Sequence, residues 1–343
     1  MKLNKKKNYI FTIAYTTYNR KNFIVNQLNN LMSLDIPDNI EIIVIDNFSN
    51  DGTFKAISDL TTGSKIKIYH NNKNLGFAGN FVEVFKRAKG EYVMWASDKD
   101  GINLNGVDRL LDWMGNKKFD VVILNYFKEK IERYESPAIR KNKTRLINYD
   151  DLLFCSHLPG TVWNRNKALI NLDDWGIMKK NYPETSKYYP NLLLLIKLIP
   201  FANSYFFNGY ISYQKEKKKR GMSFAIADPG KHYSHLASRW LQHKEFTSLI
   251  ELSIKKTKKI ESKKFLYKMH KSLNENLYEL ISKAILEEKP SMYGYFSNMY
   301  SPFLIIKRSY KFFKIVFKSL LNNPLFTIYR IKQRLKIKFK IFF

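Results

Sequence analysis

Through the first 127 residues, short runs rich in β-branched and aromatic residues alternate with longer stretches whose apolar positions fall three and four apart. The short runs, at 9–15, 40–46, 65–70, 91–97 and 119–125, have the length and composition of buried strands. The intervening stretches, at 22–34, 51–60, 77–89 and 105–114, carry the spacing of amphipathic crossover helices. Strand and helix in strict alternation predict a mostly parallel sheet with helices on its faces, a Rossmann-like α/β arrangement. In open sheets of this kind, ligands gather outside the carboxyl ends of the strands. Three polar segments fall there: 16–20, 46–52 and 97–100. A single polar segment after a strand is commonly only a loop; three of distinctive composition on one edge point to a ligand site.

Beyond residue 128 the pattern loosens, with a charged stretch at 128–145 and a lysine-rich loop at 215–220 followed by Gly221. From about residue 231 onward it is mainly helical, and no internal repeat is visible. We therefore expect an α/β domain over 1–230 and a helical, basic region over 231–343.

Composition adds a strong constraint. Hydrophobic residues make up 45% of the 343 residues and aromatics 15%, which suits a packed interior. Lys and Arg number 59 against 30 Asp and Glu, a formal charge of +29, so phosphate-rich ligands or anionic surfaces are the expected partners. Cys155 is the only cysteine. That excludes an intrachain disulfide or a Cys-based zinc site, and it fits a reducing, cytoplasmic setting. The longest apolar run, 192–200, contains Lys197 and is far shorter than the roughly 20 residues of a membrane-spanning helix. The expectation is a chain without a secretion signal or transmembrane helix.

Candidate chemistry concentrates in Ser97-Asp98-Lys99-Asp100. Two carboxylates on a short segment after a strand are hard oxygen ligands suited to Mg²⁺ or Mn²⁺. Lys99 between them either points away or meets a phosphate. Asp-x-Asp alone is a weak pattern, because an Asp in Asp-Gly is often only a turn former. Asp51-Gly52-Thr53 reads structurally, with Asp51 or Ser49 capping the next helix.

In order along the chain stand Thr16-Thr17-Tyr18-Asn19-Arg20, Val44-Ile45-Asp46-Asn47-Phe48-Ser49-Asn50-Asp51-Gly52-Thr53, Asn72-Lys73-Asn74-Leu75-Gly76-Phe77-Ala78-Gly79-Asn80, and the Asp-x-Asp. This ordered set resembles family-2 glycosyltransferases of the GT-A fold, over roughly residues 8–127. The resemblance implies an enzyme that moves a sugar with inversion from a nucleoside diphosphate donor, plausibly a UDP-sugar, to a hydroxyl of a bacterial surface glycan or lipid-linked glycan. It also implies a divalent metal cofactor, Mn²⁺ or Mg²⁺. By the same resemblance Tyr18 packs against the nucleobase, Asp46 and Asn47 bond base or ribose, and Thr16, Asn19, Arg20, Asn74 and Asn80 belong to the donor site. Asp100 becomes the principal metal ligand, with Asp98 bridging ribose or metal. Some family members read Ser-Asp-Asp-Asp at this point, so Lys99 replaces only the middle carboxylate.

An inverting enzyme needs a carboxylate to take the acceptor proton. The Glu-Asp pair that the resemblance implies after Gly160-Thr161-Val162-Trp163 is not obvious here; Glu184 in Tyr182-Pro183-Glu184 is our choice, with Asp173 and Asp174 as alternatives. The 215–220 loop is either a cationic lid over the diphosphate or a solvated charge run. His232 and His235 receive no role.

Residues 301–343 hold eleven Lys and Arg and neither Asp nor Glu. Lys307, Lys311, Lys314 and Lys318 share one helical face, as in a helix lying on an anionic membrane surface. The expected location is thus peripheral, at the inner face of the cell membrane. Packing against the protein and a nucleic-acid-binding tail are the competing readings; no nucleic-acid-binding motif accompanies the segment, and no nucleic-acid partner is expected. A nucleotidyltransferase is the alternative enzyme class, but it calls for a glycine-rich phosphate loop after the first strand, and 16–20 contain no glycine. A non-enzymatic basic binding protein is the third reading.

Overall fold

The N-terminal apolar runs become β1 (Phe11–Thr17), β2 (Ile40–Asp46), β3 (Lys67–His70) and β4 (Tyr92–Ser97), bonded in the order β3-β2-β1-β4 and all parallel. The crossovers are α1 (Lys21–Met32), α2 (Thr53–Thr61) and α3 (Gly76–Arg87), each within a few residues of its expected place. The computed structural model describes residues 9–115, 118–128, 144–147, 160–198, 203–214 and 236–271.

After β4 the regular alternation stops. A two-residue turn at Asp98-Lys99 leads into β5 (Asp100–Ile102), then α4 (Leu104–Met114), β6 (Val121–Lys128), β7 (Arg145–Leu146) and β8 (Thr161–Asn164). Four helices follow: α5 (Arg165–Leu172), α6 (Trp175–Asn181), α7 (Pro183–Tyr188) and α8 (Pro190–Leu198). The last elements are β9 (Ser204–Gln214) and α9 (Leu236–Lys256), and residues 260–271 are again helical. The sheet continues β4-β8-β6-β9-β5, with β7 also on β9. Strands β1 to β4, β6 and β9 share one direction, while β5, β7 and β8 run against it. The fold is thus α/β with a mostly parallel sheet, as the sequence pattern led us to expect.

The sheet is covered on both faces, and residue alternation assigns each face. Ala14, Ile43, Ile45 and Val93 point to a core shared with Phe81, Phe85, Trp163, Leu193 and Leu195. Ile13, Tyr15, Ile42, Val44 and Met94 point the other way, toward Ile24, Leu28, Ile57, Val107 and Leu110. Strands buried on both faces read as continuous apolar runs, which is why β1 and β2 stood out in the sequence. Residues 237–271 belong to the same compact unit and add Leu249, Ile250, Leu266 and Met269 to the first core.

One close approach locks α4 to β9. A methyl group on Gly106 would lie 2.0 Å from the Tyr210 carbonyl oxygen, a backbone atom that cannot swing aside. Gly106→Ala is therefore expected to destabilise the protein by about 2 kcal/mol despite alanine's better helix propensity. A denaturant midpoint that stayed at the wild-type value would refute this.

Candidate active site

The carboxyl ends of β1, β2 and β4 lie side by side, because Thr17 pairs with Asp46 and Thr16 with Ser97 across the parallel ladders. This register brings the three polar segments onto one edge. Asp98, in the turn after β4, is buried. Its Oδ1 accepts a hydrogen bond from Arg20 at 3.0 Å, forming an ion pair, and its Oδ2 accepts one from the Thr17 hydroxyl at 3.4 Å. Burial pushes the Asp98 carboxyl above the ordinary aspartate range, against the opposing pull of Arg20, Lys99 and Thr17. The site thus holds a carboxylate whose charge its neighbours only partly compensate.

Asp100 is also buried and opens β5, opposite Gln214 of β9. Burial, followed by smaller contributions from the Asp100 carboxylate and Tyr213, pushes the phenol of Tyr15 well above its usual value despite the Gln27 hydrogen bond. Lys99, between the two aspartates, places its ammonium 5.3 Å from the centre of the Phe23 ring on α1.

Asp46 is fully buried at the end of β2. Its carboxylate accepts hydrogen bonds from the Ser49 amide and hydroxyl, and His70 Nδ1 lies 2.8 Å from Oδ2. The His70 ring also meets Phe54, with centroids 4.3 Å apart, and Phe48 at 5.8 Å. His70 was not singled out by sequence. Its signal was the register: it ends β3 opposite Asp46, which ends β2.

Asn47 serves the neighbouring loop. Its Nδ2 donates to Asn74 Oδ1 and to the Gly76 carbonyl, while its Oδ1 accepts from Asn71 and the Leu75 amide. Asn71 also donates to the buried Asn80, and Asn74 accepts from the Gly76 amide. Asn47, Asn74 and Asn80 therefore shape the approach to α3 through one amide network. Asn19, at a positive φ of 51°, accepts from the Asn50 amide and donates its own amide to Ser49, lacing the loop after β1 to the loop after β2. Thr16 accepts from Trp95 Nε1, and Tyr18 stays exposed at the mouth. Neither cap candidate stands at the N-cap of α2, which is Gly52; Asp51, one residue earlier, accepts from the Thr53 amide at the start of α2 and the Lys21 amide at the start of α1.

Glu184 lies in the first turn of α7 and is half-buried. The backbone amides of Glu184 and Thr185 donate to the two carboxylate oxygens of Glu245 on α9, so the residue sits on a pinned helix end. Of the alternatives, Asp174 is ion-paired with Lys197 at 2.6 Å and Asp173 is exposed. The 215–220 loop, His232, His235, Cys155 and residues 301–343 lie outside the described residues.

The donor set suits a hard divalent cation. Two buried carboxylates stand two positions apart, one in the turn after β4 and one opening β5, and Asp98 is undercompensated. Among the described residues no group of three or more His, Cys, Asp or Glu side chains is gathered as a metal site. Mg²⁺-type ions are commonly held by one or two carboxylates together with substrate phosphates and water, which matches two protein ligands.

A mostly parallel sheet with an acidic turn after its fourth strand is a GT-A-like arrangement. Residues 1–349 of TarS from S. aureus, solved with UDP-GlcNAc, superpose with a TM-score of 0.56 at 17% identity, covering 80% of this chain and 72% of that one; the likeness is one of fold. Residues 12–172 match the family model described as glycosyl transferase family 2. An uncharacterized glycosyltransferase of Mycoplasma pneumoniae, the MG060 homolog, is 27% identical over 142 residues, covering 39% of this chain and 48% of that protein. MG060 of Mycoplasma genitalium, also an uncharacterized glycosyltransferase, is 28% identical over 122 residues, covering 34% and 41%. The chain therefore spans about half or less of the length of these curated relatives. The match over residues 12–172, a little under half of the chain, together with these relatives supports a glycosyltransferase of the family-2 type.

Proposed function

We propose that this protein transfers a single sugar, with inversion, from a nucleoside diphosphate to a hydroxyl of a bacterial surface glycan or its lipid-linked precursor. The observation that carries the reading is the pair of buried carboxylates, Asp98 and Asp100, on the strand edge that also bears Asp46 and Tyr18. We take the donor to be a UDP-sugar, the type of ligand present in the TarS structure.

In this reading Tyr18 offers the base a stacking face, and Asp46, held by Ser49 and His70, accepts from its polar edge. Asp98 and Asp100 would hold Mg²⁺ or Mn²⁺, which would supply positive charge to neutralise the departing diphosphate. Arg20, already beside Asp98, adds a fixed cation at the same edge. Glu184 receives the acceptor proton as the hydroxyl attacks the sugar. The work is cytoplasmic, at the inner membrane face, where residues 301–343 meet anionic lipid.

The test is a thermal-shift screen of nucleotide sugars with Mn²⁺ or Mg²⁺, followed by donor hydrolysis assays on any hit. A UDP-sugar is expected to raise the midpoint only with the metal, and Asp100→Ala to abolish that rise while retaining the wild-type circular dichroism spectrum. If no nucleotide sugar or nucleoside diphosphate stabilises the protein with either cation, the reading fails.

A further inference from the structure

Residues 241–271 form two successive helical segments whose inner and outer faces differ sharply. On the inner side, Leu249 and Ile250 of α9 and Leu266 and Met269 of the following helix enter the core. His270 Nε2 lies 3.1 Å from Glu251 Oε1, holding the two helices side by side across the connection at 257–259.

The outer side is neither apolar nor simply charged. On α9, Leu241, Ser248, Leu252 and Lys255 recur at spacings of seven, four and three, and on the next helix Ile260, Lys264, Tyr267 and Lys271 recur at four, three and four; each set occupies one exposed helical face. Leu241 is 46% exposed, Leu252 40%, Ile260 67% and Tyr267 59%. Lone exposed apolar residues need no explanation. Here four large ones stand on one two-helix element, interleaved with exposed Lys255, Lys256, Lys258 and Lys259, while Lys264 is ion-paired with Glu261 at 3.1 Å and Glu251 lies against His270.

We propose that this helix pair is a docking face for an anionic lipid bilayer. Cations that attract acidic headgroups, set among aliphatic side chains and a tyrosine that can enter the headgroup boundary, are the two features such binding requires. Leucine and isoleucine provide no stacking surface for bases, which disfavours nucleic acid as the occupant. Among the described residues no helix is long and apolar enough to cross a membrane, so the contact is one of surface association. The inference rests on the proposed membrane-side acceptor but uses residues distinct from 301–343 and from the donor edge.

The experiment uses the full-length protein and sedimentation with vesicles of phosphatidylcholine alone or mixed with phosphatidylglycerol. Partition into the mixed vesicles is expected to exceed that into phosphatidylcholine by at least about tenfold. Replacing Lys255, Lys256, Lys258 and Lys259 together with Gln should lower it by up to about a thousandfold. Leu252→Ser, Ile260→Ser and Tyr267→Ser combined should lower it by about tenfold at unchanged net charge, with heparin binding unaltered. Wild-type partition in both variants would assign membrane binding to other residues and overturn the proposal. So would a serine variant whose heparin affinity falls in step, or one that keeps its partition but loses self-association in sedimentation velocity. Metal-dependent stabilisation by nucleotide sugar, measured on the same preparations, reports separately on the donor site, so failure of one reading is distinguishable from failure of the other.

Discussion

Asp98→Asn is expected to cut the rate of sugar transfer by about 10³-fold while making the ligand-free protein more stable. The loss of rate follows from removing one of the two carboxylates that, in the proposed function, hold the metal on the donor diphosphate. The gain in stability follows from the sign of the pKa shift. Burial raises the folded-state value above the unfolded one, even with Arg20 alongside. A carboxyl shifted upward binds its proton more tightly in the native state, so its contribution is fully favourable below the unfolded value. That contribution is lost as pH rises through the folded value, and at neutral pH the ionised side chain is a burden. The amide carries no such charge and still accepts from Arg20. Wild-type thermal midpoints should therefore gain on the Asn variant as the ligand-free samples are acidified from neutral pH toward the unfolded aspartate value. Parallel midpoint curves for the two proteins would refute the electrostatic account, and an active Asn variant would refute the functional one.

Glu41→Ala should have the opposite character, a large loss of stability with the chemistry intact. Glu41 is 2% exposed near the amino end of β2, at the edge of the sheet remote from Asp98. Its Oε1 lies 2.6 Å from Lys67 Nζ, and its Oε2 accepts from the Thr12 hydroxyl at 2.8 Å and the Lys89 amide at 2.7 Å. The Thr12 hydroxyl in turn accepts from the Gly90 amide. Truncation leaves an amide, a hydroxyl and a partly buried ammonium without their acceptor, at a cost of about 3 kcal/mol. The thermal midpoint should drop by roughly 6–12 °C. Assayed well below that midpoint, kcat and KM should match wild type; a selective loss of kcat with an unchanged midpoint would show that Glu41 serves the reaction.

These two carboxylates mark what was readable from sequence. The parallel half could be traced because β1 and β2 are buried on both faces and their helices keep a 3.6-residue period, both of which are local properties. The acidic turn was legible for the same reason, since it directly follows an apolar strand. Non-local partnerships were not. Asp100 was read only as part of a short segment after a strand, yet it begins a strand of its own, because its backbone pairs with a residue more than a hundred positions later. The antiparallel insertion of β8 between β4 and β6 leaves no period in the sequence. Arg20 belongs to the quoted motif, but its pairing with Asp98 depends on the fold of two separate loops. His70 looked like an ordinary strand residue until register placed it against Asp46. The amide network of Asn47, Asn71 and Asn80 was likewise invisible, because a buried asparagine and an exposed one are written with the same letter.

The pairing of β5 with β9 has a consequence for how the enzyme comes into being. Strands β1 to β4 and their helices can assemble while the chain is still growing, since a domain's N-terminal portion is made first and local contacts form quickly. The seat of Asp100 cannot, because the strand opposite it ends at Gln214. A ribosome-bound chain halted before that point would carry Asp46 and Asp98 on a partial sheet with Asp100 unanchored. In the proposed function, competence to hold the donor diphosphate is therefore a late event in synthesis, gained only once Gln214 has been made.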